Sequence, residues 1–219
     1  MQEQMVPTKT LAKIRGKNPE ETKCRLCGKE EEGVIHWLSS CEYLARAEYL
    51  KRHDQALRVL YAAVLKKYGM VKTNMAWFNI RVEKVKENEK AMIAWNMRIP
   101  THAHVQHRWP DLRIEDKIKK VIYLVDMSCP NDSNVRSKEE EKFQNYIQLD
   151  LELRQQRPQW KIFVCPIIMG TMGAFNAIEN EVDKILEDRK ESRRCVEEIQ
   201  KTTVMASSQM IQRIRTKLV

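Results

Sequence analysis

Apolar positions change their period along the chain, and the changes mark out its elements. From Glu42 to Tyr68, Leu44, Tyr49, Leu50, Leu57, Leu60, Tyr61, Val64 and Leu65 recur at helical spacing, and Gly69 can end that helix. Ala91–Ile99 is apolar enough for a strand, closed by Pro100. Two short apolar runs follow, Leu112–Ile114 and Val121–Val125, with a charged turn between them. In the first, Leu112 and Ile114 share one face while Arg113 and Glu115 share the other. The second extends to Met127 as the most hydrophobic run, so a position inside a sheet is predicted. Asn131–Asn134 breaks the chain, and helical signals then run to about Arg154. Lys161–Met169 reads as another strand, in which Pro166 predicts a sheet edge or a bulge because it has no N–H to donate. Ala174–Leu186 and Val196–Leu218 return to the helical period, and the charged stretch 81–90 is read as helical too. These elements predict an α/β fold: a small mixed sheet flanked by helices, preceded by a small cysteine-containing module and a helical linker.

Charge and cysteines narrow the partners. With 39 basic against 30 acidic residues, the net charge is +9, which favours an anionic partner such as DNA or RNA without fixing the fold. Nothing resembles a signal peptide, and no apolar run approaches a membrane span, so a reducing compartment and no membrane partner are expected. Under those conditions cysteines point to metal before disulfide. Composition divides the chain into a basic linker or upstream piece (1–23), the cysteine module with its helix (24–69), a connector (70–90), a sheet domain (91–190) and a basic helix (191–219).

Residues 24–41 space their donors as C-x2-C-x8-H-x4-C: Cys24, Cys27, His36 and Cys41. Two thiolates on a tight turn, an imidazole and a third thiolate can close a tetrahedral site of the kind zinc prefers. The plain alternative is a reduced thiol pair beside a surface histidine. His102, His104 and His107 lie in a loop without cysteine or acid at ligand spacing and are not read as a second metal site. His53, after Lys51-Arg52, is read as part of a solvated helix face. Asp111 precedes the first short strand and Asp126 closes the second, so adjacent strands would bring both acids to one edge. Lys142 and Tyr146 lie four apart, on one face of the next helix. Two acids, a lysine and a sheet fit a Mg2+-dependent nuclease, since carboxylate oxygens suit that ion.

Together these motifs resemble the carboxy-terminal region of polyproteins from non-LTR retrotransposons that carry a restriction-like endonuclease. Cys24, Cys27, His36 and Cys41 match that family's CCHC zinc knuckle, and EYLKRHD at 48–54 its following helix. Trp109-Pro110-Asp111 falls on its R/K-P-D motif, Asp126 on its second acid, and Lys142 with Tyr146 on its K-x3-Y pair. The resemblance covers roughly residues 24–219. It implies a PD-(D/E)xK fold, a structural zinc and a catalytic Mg2+ on Asp111 and Asp126. It further implies nicking of target DNA to prime reverse transcription, contact with element RNA, and a nuclear location. Three departures stand out. Trp109 replaces the usual Arg or Lys, Asn145 stands where lysine is frequent, and Lys142 comes from a helix instead of the place two residues after Asp126, held by Ser128. A nucleic-acid-binding protein without cleavage is the alternative. No polymerase acidic box is present.

Overall fold

A computed structural model of the protein describes residues 6–16 and 22–218. Five strands form one sheet in the order β1 (Val85–Glu87), β2 (Ala91–Trp95), β3 (Leu112–Asp116), β4 (Val121–Ser128) and β5 (Lys161–Ile168). The first four are antiparallel neighbours, while β4 and β5 are parallel. A parallel pair needs a long crossover, and α5 (Val135–Asn145) with α6 (Ile147–Gln156) supplies it. The sheet is therefore mixed, as the apolar pattern predicts.

Strand parity builds two cores. Tyr123, Val125 and Met127 of β4 face a large cluster shared with α4 (Leu50–Lys67), α7 (Ile178–Leu186) and α8 (Arg189–Leu218). Ile122 and Leu124 face the other way, against Tyr146, Leu149 and Leu153 beside α6. Burial on both faces explains why β4 reads as one continuous apolar run. Pro166 lies on β5, an edge strand of this sheet, as its missing N–H requires.

Several expectations need correction. The stretch 81–90 contains strand β1, not a helix. Backbone pairing to β2 overrides its weak local preference, and its charged residues suit a solvated edge. Strand β2 stops at Trp95 because Asn96 turns to a φ of 45°. The helix expected up to Arg154 breaks at Tyr146 into α5 and α6. The linker expected at 1–23 holds a short helix, α1 (Lys9–Ile14), with Val6 and Leu11 buried; residues 1–5 and 17–21 of that stretch lie outside the described residues, as does Val219.

The small helix α2 (Val34–Ser39) contributes Trp37 and Leu38 to a third cluster with Met210, Ile211 and Ile214 of α8. One turn of helix, α3 (Glu42–Leu44), and a π-helical turn at Ala45–Tyr49 lead into α4. Helix α4, expected to go with the cysteine module, buries Leu57, Leu60, Tyr61 and Leu65 in the sheet's core together with Ile80 of the 70–90 connector. Helix α8 joins the two regions: Cys195, Val196 and Ile199 pack with the sheet, and its last turns pack on the module. No helix among the described residues is long and apolar enough to cross a membrane.

Candidate metal centre and carboxylate cluster

Cys24, Cys27, His36 and Cys41 place their donor atoms within 4.8 Å of one another. The local chain makes this possible. Gly28, at a φ of 70°, donates its N–H to the Cys24 carbonyl at 2.8 Å and closes the turn between the first two thiols. Cys24 N–H bonds the Glu30 carbonyl, and a single antiparallel bridge joins Lys23 to Glu31. Helix α2 then carries His36 back, its Nε2 3.3 Å from Cys27 Sγ. His36 Nδ1 lies 2.8 Å from a Glu30 carboxylate oxygen, the partner that orients a metal-ligating imidazole. Burial pushes the Cys27 thiol up, but N–H groups of Lys29 and Glu30 and its contacts with His36 and Cys24 bring it down to about 7. Burial, with repulsion from Cys24, pushes Cys41 up to about 12. Three sulfurs and an imidazole, converging on one point, form a candidate structural metal site whose donors are those of zinc.

Glu32 ties the preceding helix to this module. Its fully buried carboxylate accepts from the backbone N–H of Lys9 and Arg25 and from the Arg25 guanidinium, at 2.7 Å for the closest nitrogen.

The carboxylates meet at the other side of α4. In the β3–β4 ladder Leu112 faces Val125. One step further along the register, Asp111 comes opposite Asp126, on the sheet face that α5 and α6 cover. The two carboxyl groups lie close enough for each to act on the other's protonation. Lys142 reaches down from α5 with Nζ 2.8 Å from Asp126 Oδ1. Tyr146 is buried at the α5–α6 junction, donates its hydroxyl to the Trp109 carbonyl at 3.1 Å, and also meets Asp126. All four expected residues are thus neighbours.

Two further groups complete the cluster. Met127 N–H donates to Asp111 Oδ2 at 2.7 Å, and His53 Nε2 lies 3.1 Å from the same oxygen. Asp54 holds the other ring nitrogen at 3.0 Å. Burial lowers the His53 pKa, but Asp111 and Asp54 outweigh it and lift it to about 10. Burial also works against the Asp111 carboxylate, yet His53 and the Met127 N–H hold it below the usual range. Asp126 is pushed up by burial and by Asp111, against Lys142. Of the two, Asp126 is the one that takes up a proton first as pH falls. A groove of about 610 Å³ opens over Asp111 and His53, bounded by Ser39, Ser40, Tyr49 and Asn134.

His53 is the residue that sequence reasoning missed. Its place on α4 suggests a solvated face, and only the docking of α4 across the sheet end brings it to Asp111. Arg52, beside it, is also buried and bonds the carbonyls of Leu38 and Cys129. Compared with known proteins, no family model and no curated sequence matches this chain.

Proposed function

We propose that the chain is a Mg2+-dependent nuclease of the PD-(D/E)xK kind, joined to a structural zinc knuckle, acting on DNA in the manner of the non-LTR retrotransposon proteins it resembles. The observation that carries this reading is the meeting of Asp111 and Asp126 from adjacent strands with Lys142 Nζ 2.8 Å from Asp126.

Asp111 and Asp126 would hold the ion through carboxylate oxygens. Bound there, Mg2+ supplies Lewis-acid polarisation of a phosphodiester and acidifies a water. Without the ion, Lys142 and His53 meet the two negative charges. With Mg2+ held by the carboxylates, Lys142 would be placed to turn its N–H groups to a phosphate oxygen, where negative charge would be met. Tyr146 fixes the backbone just before Asp111 through the Trp109 carbonyl. His53 holds Asp111 in place from the side. Target DNA fits the basic balance of the chain, and element RNA is the second anionic partner the knuckle would suit. A nuclear location follows from this reading.

Plasmid nicking by the full chain in Mg2+ tests it, with Asp126→Asn as control. Nicking by the native chain and none by the variant supports the assignment; equal nicking by both ends it. A second reading, binding without cleavage, is favoured by Trp109, which stands exposed where the resembling family carries a cation. Binding with no nicking in Mg2+ or Mn2+ selects that reading.

A further inference from the structure

The backbone from β2 to β3 contains no acidic residue between Asn96 and Pro110, and it carries Arg98, His102, His104, His107, Arg108 and Trp109. It is irregular but anchored. Ile99 and Val105 are buried in the core beside α6. Ile99 N–H bonds the Arg108 carbonyl at 2.9 Å, and Asn96 N–H bonds the Asp111 carbonyl at 2.8 Å. Glu152 accepts from His102 N–H at 2.6 Å, and the Arg108 guanidinium donates to Thr101 Oγ1. These bonds tie the loop to itself and to α6, with Arg98 exposed and Arg108 half-buried.

On this fixed frame Trp109 is 56 % exposed. Leaving an indole in water forfeits much of the gain its area offers on burial. Its backbone is clamped by the Tyr146 hydroxyl, so the ring cannot easily retreat. The Arg98 guanidinium sits 5.8 Å from the ring centroid, over one face. Trp109 also lies two residues before Asp111. A clamped, exposed ring with a cation over it, in an acid-free histidine- and arginine-bearing loop, has the two elements of single-strand recognition: a stacking platform and a charge track.

We propose that the 97–109 loop docks an unpaired nucleic-acid strand, with Trp109 stacking on a base and Arg98 and Arg108 contacting the adjoining phosphates. The preference for an unpaired strand follows from geometry: in a duplex both faces of each internal base are already stacked, so an indole finds no free face. The inference deepens the nuclease reading and rests on it for the role of the neighbouring Asp111. It names the substrate there as DNA with an unpaired or unstacked nucleotide beside the scissile phosphate.

The test measures affinity of the full zinc-loaded chain for a labelled single-stranded oligonucleotide and for the same sequence as a duplex, without Mg2+. Trp109→Ala should weaken single-strand binding by about tenfold and duplex binding by less than about twofold, since stacking on an aromatic carries that order of effect. Trp109→Phe, which keeps a ring, should stay within about threefold of the native chain. Arg98→Gln should lower the slope of log affinity against log salt by about one. Unchanged binding by Trp109→Ala, equal loss on single strand and duplex, or no recovery with phenylalanine would each overturn the proposal. The outcome is separable from catalysis. Nicking retained with no stacking effect removes this inference alone, whereas a stacking effect with no nicking removes the nuclease reading and its scissile phosphate and leaves the loop as a single-strand docking surface.

Discussion

The knuckle draws its four donors from residues 24 to 41, whereas the carboxylate cluster draws Asp111, Asp126, Lys142 and His53 from four separate parts of the fold. The chemistry differs as much as the spacing. In the knuckle, three thiols and an imidazole face one another, and the cations that Cys24 and Cys27 feel, Arg25 and Lys29, are already paired with Glu32 and Glu42. Ionised thiolates held that close repel, so the arrangement asks for an ion in order to be stable. In the carboxylate cluster each acid already has a positive partner, His53 for Asp111 and Lys142 for Asp126. That region can fold without an ion. On the proposed reading, metal would serve folding in one region and function in the other.

Breaking the knuckle should give the largest effect. Its apolar cluster is small, and structural zinc in comparable fingers is worth roughly 10–16 kcal/mol. Cys24→Ser should abolish zinc retention and expose backbone amides from 22 to 50 to hydrogen exchange, while β3 and β4 stay protected. Metal analysis should find one zinc per native chain. Equal loss of protection in the sheet would show that α8 couples the regions too tightly for the contrast to hold.

Glu32→Ala comes next. It strips a buried carboxylate from Arg25 and two backbone donors, a loss on the order of 3 kcal/mol. Burial raises the Glu32 pKa, but Arg25 and the N–H groups of Arg25 and Lys9 more than reverse this, so the folded value lies below the unfolded one. Its contribution is therefore full above the ordinary glutamate range near about pH 4.3 and fades as pH falls through the lower folded value. Unfolding curves of Glu32→Gln across pH 2–6 should lack that acid limb.

His53→Ala separates the two kinds of site. Asp111 would keep the Met127 N–H but lose its counter-charge, lowering stability by about 2 kcal/mol. Millimolar Mg2+ should restore much of that loss, because the ion supplies the missing positive charge. Thermal melts with and without Mg2+ read this directly. If Mg2+ leaves the melting temperature of the variant where it was, the two carboxylates do not bind the ion.

These effects follow how far each feature could be read from the chain. The knuckle was legible because its donors lie on one short turn, one helix and the residue that opens the next, where spacing nearly fixes geometry. Strands β3 and β4 and the convergence of Asp111 with Asp126 were legible because strand parity has a strict period of two. His53 was not, because it meets Asp111 across 58 positions and only after α4 docks. Nor was β1, whose three residues are set by pairing with β2 more than by their own preference. The break at Tyr146 falls where its hydroxyl bonds the Trp109 carbonyl, a tertiary contact that no local pattern announces. The burial of Arg52 was hidden for the same reason, since its partners are the carbonyls of Leu38 and Cys129 and the Ser207 hydroxyl.

The smallest change in stability is expected at Asp126, the position on which the proposed chemistry leans most. Burial and the negative charge of Asp111 disfavour the ionised form of Asp126. Asparagine keeps the shape and removes the charge that the fold resists. Lys142 then loses its partner, but its side chain is 22 % exposed and can turn to water at little cost. The two consequences nearly cancel, so Asp126→Asn should change unfolding free energy by less than about 1 kcal/mol. Nicking should still fall by about a hundredfold or more, because the lost carboxylate takes with it several kcal/mol of metal-assisted stabilisation. Near-native stability with lost nicking is the signature of a site kept for function, opposite to that of Cys24→Ser. If Asp126→Asn instead unfolds the sheet, the Asp126–Lys142 pair is a structural strut, and the case for a nuclease loses its main support.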